Sequence, residues 1–148
     1  MTDAPDPAAL ALATACAEAL WRSDAATRKL GMAYTVLQPG AVDMTMQVTA
    51  DMTNGHGTCH GGFVFALADS AFAFACNAYN QVTVAAGASI DYLRPALEGD
   101  TLVAAARERR RGRRTGVYDV TVTNKDGATI ALFRGRAAIT SKPVLPST

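Results

Sequence analysis

Apolar and polar positions alternate along the chain in two different periods, and the change from one to the other marks out its elements. From Ala8 to Trp21, Leu10, Ala13, Ala17 and Leu20 recur at helical spacing, and Glu18 and Arg22 stand one turn apart where they can pair, so a first helix is predicted. From Met32 the period is two. Met32 to Leu37 predicts a strand, Gln38-Pro39-Gly40 a turn, and Val42, Met44, Met46 and Val48 then alternate with Asp43, Thr45 and Gln47 as in a half-buried strand. Asp51 to Cys59, with two glycines, an asparagine and two threonines, predicts a loop. Gly61-Gly62 then opens Phe63 to Tyr79, whose alanines and freedom from interior Gly or Pro favour helix. This segment is apolar nearly all round, so other elements are expected to enclose it. Strand character follows in Val82 to Leu93, Thr101 to Arg109, Thr115 to Thr123 and Thr129 to Ile139. Turn chemistry separates them at Pro95 with Glu98-Gly99-Asp100, at Arg110 to Arg114, and at Asn124-Lys125-Asp126-Gly127.

Two strands, one enclosed helix and four more strands make an α+β arrangement, in which one antiparallel sheet wraps the long helix and an extra helix precedes it. The outer face and edges of such a sheet are left over, and pairing with a second copy is the expected solution. A length of 148 residues suits a single domain spanning 1–148, with about 1–7 and 141–148 expected to be flexible.

Composition narrows the function classes. With 49% hydrophobic and 18% charged residues the chain is not generally disordered, and no apolar run is long enough to span a bilayer, so a soluble protein with no membrane partner is expected. A net charge of +1 supplies no overall field to hold nucleic acid. Asp3 and Asp6 among prolines are unlike the basic start of an export signal, and three cysteines are too few and odd in number for a disulfide framework. Both features make the cytoplasm the expected location.

Asp69 is the residue that most needs a reason, because a carboxylic acid on an apolar helix must find hydrogen bonds or charge, or take up a proton. It shares a helical face with Phe65, Phe72 and Cys76. Two readings stand: a core carboxylate satisfied locally, or a catalytic one. His60-Gly61-Gly62 likewise makes either a sharp loop-to-helix turn or an oxyanion hole, in which the Gly61 N–H at a positive helix start points at a carbonyl gaining charge. The same span supplies Asn54, His60, the helix start and Asp69, and that combination suits acyl transfer.

Other clusters carry less. His56, Cys59 and His60 with Asp51 nearby lack the spacing of recurrent zinc motifs, and no metal is expected. Arg107, Arg109, Arg110, Arg111, Arg113 and Arg114 form either a solvated strand end or a set that meets the phosphates of a nucleotide; no aromatic platform is interleaved, as single-stranded nucleic acid would require. Phe63, Phe65 and Phe72 belong mainly to the core, but one or two can wall an acyl pocket.

Asn54-Gly-His-Gly-Thr-Cys-His60-Gly61-Gly62, followed by the helix bearing Asp69, resembles the hotdog-fold acyl-CoA thioesterases. Gly87-Ala-Ser89-Ile-Asp91-Tyr-Leu-Arg94-Pro95 and Thr115-Gly116-Val117-Tyr118-Asp119 narrow the likeness to the branch of that family serving phenylacetic acid degradation. The likeness runs from about Ala17 to Ile139. It implies a hotdog fold, assembly as a dimer of dimers with active sites at the subunit interface, and an inactive monomer. It gives Asp69 the role of nucleophile or general base, Gly61 that of oxyanion donor, His60 and Asn54 places at the thioester end, and Ser89 a hydroxyl that can hold the attacking water. Gly62, Phe65, Phe72, Arg111 and Arg113 complete the expected substrate-binding set. The implied reaction is hydrolysis of phenylacetyl-CoA or a hydroxyphenylacetyl-CoA-type thioester, with no cofactor, coenzyme A being part of the substrate. A hotdog enoyl-CoA hydratase or dehydratase and a non-catalytic acyl-CoA-binding module are the alternatives.

Overall fold

The computed structural model describes residues 3–147. Its elements run α1 (Pro7–Ser23), α2 (Ala25–Lys29), β1 (Ala33–Gln38), β2 (Ala41–Gln47), a single 3-10 turn (Ala50–Met52), α3 (Gly61–Cys76), β3 (Thr83–Tyr92), β4 (Thr101–Arg111), β5 (Thr115–Thr123) and β6 (Thr129–Ile139). The strands form one antiparallel six-stranded sheet in the order β1-β2-β4-β5-β6-β3. Because β3 returns to pair with β6, the strand directly after α3 ends at an edge, beside the helix that precedes it.

The predicted strands all form, and Thr115–Thr123 and Thr129–Ile139 match their expected ends. The Gln38-Pro39-Gly40 turn is present, with Gly40 at φ +79°, a left-handed conformation that favours glycine. The sequence reading passed over α2, which Asp24 caps by accepting from the Thr27 N–H and hydroxyl. The long helix is displaced by two residues at its start and three at its end from the predicted Phe63–Tyr79. Side chains explain both shifts: His60 caps the first turn, and Asn77 takes the Ala73 carbonyl and stops the last.

α3 packs chiefly on β2, β4 and β5, where Val42, Met44 and Met46, Leu102, Ala104 and Ala106, and Tyr118, Val120 and Val122 point inward and are buried. α1 flanks the other side through Trp21 on Tyr34 and Tyr34 on Phe74, at ring separations of 5.3 and 5.1 Å. The expectation of a fully enclosed α3 is corrected here. Val64, Leu67, Ala68, Ala71, Phe74 and Ala75 are buried, but Phe65, Ala66, Asp69 and Ala73 are only half-buried and Gly62 is exposed, because one curled sheet covers one side of a helix. The edge strand is bare as well, with Val84 and Tyr92 each 52% exposed. At the end of the chain, Val82 N–H donates to the Lys142 carbonyl and Leu145 N–H to Asn80 Oδ1, fastening a tail expected to be loose; residues 1, 2 and 148 of the expected flexible ends lie outside the described residues.

Candidate active site

The site is built around the start of α3, where the loop before it is folded by its own asparagine. Asn54 Oδ1 accepts from the His56 and Thr58 N–H groups and from Thr58 Oγ1, at 2.9, 3.2 and 3.2 Å. Its Nδ2 has no partner among the described residues and remains free to donate. The Cys59 N–H bonds the Ala96 carbonyl at 2.8 Å, and the His60 N–H bonds the Met52 carbonyl at 2.7 Å, so the loop is pinned on both sides.

His60 is the N-cap. Its Nδ1 accepts from the Gly62 N–H at 3.2 Å, so the neutral ring carries its proton on Nε2 and offers it outward. The His60 carbonyl accepts from the Phe63 N–H at 3.0 Å. That bond orients the 60–61 peptide with the Gly61 N–H directed out of the helix start, where it takes no partner among the described residues. The positive end of the helix dipole reinforces it. A donor of this kind can hold an oxyanion.

Asp69 lies eight residues further on, at the border between the flank of half-buried Phe65 and buried Phe72 and Cys76 and the open stripe of Gly62, Ala66 and Ala73. Its carboxylate makes no hydrogen bond or ion pair among the described residues, and burial raises its pKa above the ordinary carboxylate value. A half-buried carboxylate without local partners is unlike a core group held by hydrogen bonds. Within one protomer, however, Gly61 and Asp69 are about 12 Å apart along the axis at 1.5 Å per residue, too far to act on one carbonyl.

A cleft of about 360 Å³ opens beside Gly61, between Thr58, Val64, Tyr92, Arg94, Pro95 and Ile130. Tyr92 reaches into this corner and donates from its hydroxyl to the Gly61 carbonyl at 3.0 Å. The sequence reading passed over Tyr92 although it stands inside the quoted Gly87–Pro95 stretch; an aromatic residue with a polar tip at a strand end was the available signal.

The remaining expected site residues are dispersed. Phe65 stays near Asp69 and meets Phe133 edge-on at 5.4 Å, half-buried. Phe72 does not reach an open cleft within a protomer: it is 1% exposed and packs on Tyr118, Phe133 and the bare backbone of Gly135. Ser89 pairs with Arg134 on the face of the sheet turned away from α3, so one chain does not bring it to its own Asp69. Arg111 is engaged at the far end of α3, stacked 4.1 Å over the Tyr79 ring and bonded to Gln81 Oε1. Arg107 and Arg109 pair with Asp43 and Asp119 across the strands, while Arg110, Arg113 and Arg114 are exposed and have no ion-pair partner among the described residues. Among the described residues no three His, Cys, Asp or Glu side chains gather where they could hold a metal, and no helix is long and apolar enough to cross a membrane.

Comparison with known proteins places the fold within a family. The thioesterase superfamily model matches residues 56–131, the stretch from the loop through β3 to β6. Over 121 residues the chain is 47% identical to the acyl-coenzyme A thioesterase PaaI of Escherichia coli, covering 82% of this chain and 86% of that protein. The solved structure of the E. coli PaaI protein from the phenylacetic acid degradation operon superposes with a TM-score of 0.89 at 43% identity, over 90% of this chain and 97% of that one. A Streptococcus mutans protein solved bound to acetyl CoA superposes with a TM-score of 0.73 at 31% identity, over 76% and 90% of the two chains.

Proposed function

The chain belongs to the thioesterase superfamily, and from that premise we propose that it is an acyl-CoA thioesterase that releases coenzyme A and a free acid from phenylacetyl-CoA or a hydroxyphenylacetyl-CoA-type thioester. The observation that carries the reading is the pairing, on one helix, of an unpartnered N–H at Gly61 with an unpartnered half-buried carboxylate at Asp69. The superfamily membership and the relative named for acyl-CoA hydrolysis support the reaction class, and the operon named for the E. coli protein supports the aryl-acetyl substrate.

Two protomers make the geometry work. If two copies meet with their α3 helices antiparallel and a two-fold axis near Phe65, midway between 61 and 69, each Asp69 lies opposite the neighbouring protomer's Gly61. The stripe of Gly62, Ala66 and Ala73 lets the helices approach closely, and the bare edge of β3 offers unpaired backbone to a second sheet. The larger assembly is then a dimer of dimers.

In that arrangement the thioester carbonyl oxygen accepts the Gly61 N–H of one protomer while Asp69 of the other faces the carbonyl carbon. As general base, Asp69 takes a proton from water as the water oxygen bonds to carbon; the tetrahedral oxyanion collapses, the C–S bond breaks and the proton passes to the leaving thiolate. As nucleophile, Asp69 itself bonds to carbon and expels the thiolate, leaving an anhydride that water then hydrolyses. Loss of contact with bulk water strengthens either route. His60 Nε2–H and Asn54 Nδ2 orient the acyl end, Phe65 lines the ring pocket, and Arg113 with its exposed neighbours meets coenzyme A phosphate. No metal or bound cofactor enters these steps, and the protein works in the cytoplasm.

A thiol-release assay over phenylacetyl-, hydroxyphenylacetyl-, benzoyl- and medium-chain acyl-CoA tests the proposal, with turnover expected to be fastest on the first two. Absence of thiol release from every member would defeat it. Hydration of an enoyl-CoA without free thiol would favour a hydratase, and tight binding without turnover a binding module. Single-turnover hydrolysis in oxygen-18 water tests the nucleophilic route, since label enters Asp69 only when water opens an anhydride at the Asp69 carboxyl carbon.

A further inference from the structure

Glycine has no side chain to restrict its dihedrals, so a glycine that carries a catalytic N–H needs restraint from outside itself. At residue 61 the first turn of α3 supplies part of that restraint, and β3 adds to it. The Tyr92 hydroxyl donates to the Gly61 carbonyl at 3.0 Å, its only hydrogen bond among the described residues. The ring lies over the Cα: a Cβ added at Gly61 would stand 3.1 to 3.3 Å from Cζ, Oη and Cε1 of Tyr92. Gly61 does not have a positive φ, so no left-handed backbone calls for glycine there, and the ring crowds the space a side chain would take. Tyr92 is itself 52% exposed at the end of an edge strand, which means that the core does not hold its ring in this position.

Two restraints therefore meet on neighbouring peptides. The Phe63 N–H holds the carbonyl of the 60–61 peptide, and Tyr92 holds the carbonyl of the 61–62 peptide. With both in place, the Gly61 N–H has its direction set before any ligand arrives, which is the condition under which such a donor is most effective.

We propose that Tyr92 is a positioning residue that acts through Gly61, fixing the oxyanion-donating N–H from the end of the edge strand. The inference rests on the reading of Gly61 as the oxyanion donor. Tyr92→Phe keeps the ring and removes the bond. Because it loosens the donor without deleting it, kcat for thiol release falls about five- to tenfold, less than the loss from removing such a donor outright. KM stays within about twofold, since ground-state binding is untouched. The acidic limb of the pH profile keeps its midpoint, because Asp69 is not altered.

Gly61→Ala supplies the second arm. Its methyl would stand 3.1 to 3.3 Å from the Tyr92 ring, so the ring must move by a few tenths of an ångström and the same bond is strained, and residues acting as one unit give non-additive losses. In the Gly61→Ala background, Tyr92→Phe should change kcat by less than about twofold. If Gly61→Ala does not fold, the kcat-against-KM split of Tyr92→Phe decides alone. Wild-type kcat in Tyr92→Phe, or losses that multiply in the double variant, would overturn the inference. The wild type and Asp69→Asn run in the same assay keep the two levels distinct. A wild type inert on every acyl-CoA defeats both readings, whereas an active wild type, a disabled Asp69→Asn and a fully active Tyr92→Phe defeat this one alone.

Discussion

The two ends of α3 handle polar groups in opposite ways. At the C-terminal end the groups are paired: Asn77 Nδ2 donates to the Ala73 and Thr83 carbonyls, and Asn77 Oδ1 accepts the Thr83 N–H, each at 2.9 Å. Beside it Tyr79 and Tyr118 both donate to Glu108 Oε2, at 2.9 and 2.8 Å. Burial, followed by these bonds to a carboxylate, pushes both phenols well above their ordinary range, and burial pushes the nearby Cys76 thiol up to about 12. At the N-terminal end the Gly61 N–H and the Asn54 amide nitrogen, and midway along the helix the Asp69 carboxylate, have no partners among the described residues. Closed polar networks stabilise a fold, and leaving donors or a carboxylate open is compatible with folding only where water or a ligand can meet them. The difference between the ends separates architecture from chemistry on a single helix.

Removing an unpaired group of the candidate site gives the largest expected effect. Asp69→Asn keeps the shape and removes basicity and nucleophilicity, so turnover measured by thiol release should fall by about two orders of magnitude or more. Burial has raised the Asp69 pKa, and the group must be ionised to act, so kcat/KM of the wild type should fall on acidification at a higher pH than an ordinary carboxylate would give. The sign for stability is the reverse. A raised native pKa favours the protonated form, so stability declines as pH rises from the unfolded to the native value. Asp69→Asn removes that cost, and thermal melts should find it more stable than the wild type near neutrality, with the margin vanishing in acid.

The closed end should respond in stability instead. Asn77→Ala leaves the buried backbone N–H and carbonyl of Thr83 without partners, while the Ala73 carbonyl keeps the residue-77 N–H, a loss of about 2–3 kcal/mol measured by denaturant unfolding. The kcat of the folded enzyme should change by less than about twofold, and a large kcat loss would show that the ends are not independent. The smallest effect belongs to the arginines. Arg113→Ala removes an exposed charge with no protein partner, so KM for acyl-CoA should rise about threefold, with kcat unchanged and the difference shrinking in high salt.

The sequence made much of this legible, and unevenly. Alternation in Val42–Val48 identified that strand and its buried positions, and strand character marked the last two strands to their ends, because one side of the sheet is buried and a period-two pattern follows. The Asn54–Gly62 stretch and Asp69 were legible as candidate chemistry because glycines at a helix start and a carboxylate among apolar residues are chemically conspicuous. Asn77 and Glu108 were not: their role lies in partners 6 and 29 positions away, at Thr83 and Tyr79, which no local pattern records. Phe72 and Arg111 look available for substrate in a linear reading, but only packing decides that one fills the core and the other lies on Tyr79.

By itself, the order of residues determined the element types, the antiparallel α+β architecture and the chemical inventory, since propensity, period and capping act within a few residues of one another. The tertiary structure alone decided which groups remain unpaired. Sheet order sends β3 to the edge and places Tyr92 over Gly61, curvature leaves one flank of α3 open at Asp69, and the rise of a helix holds that carboxylate about 12 Å from its own helix start. Proximity across the chain is a property of closure, and no run of neighbouring residues contains it.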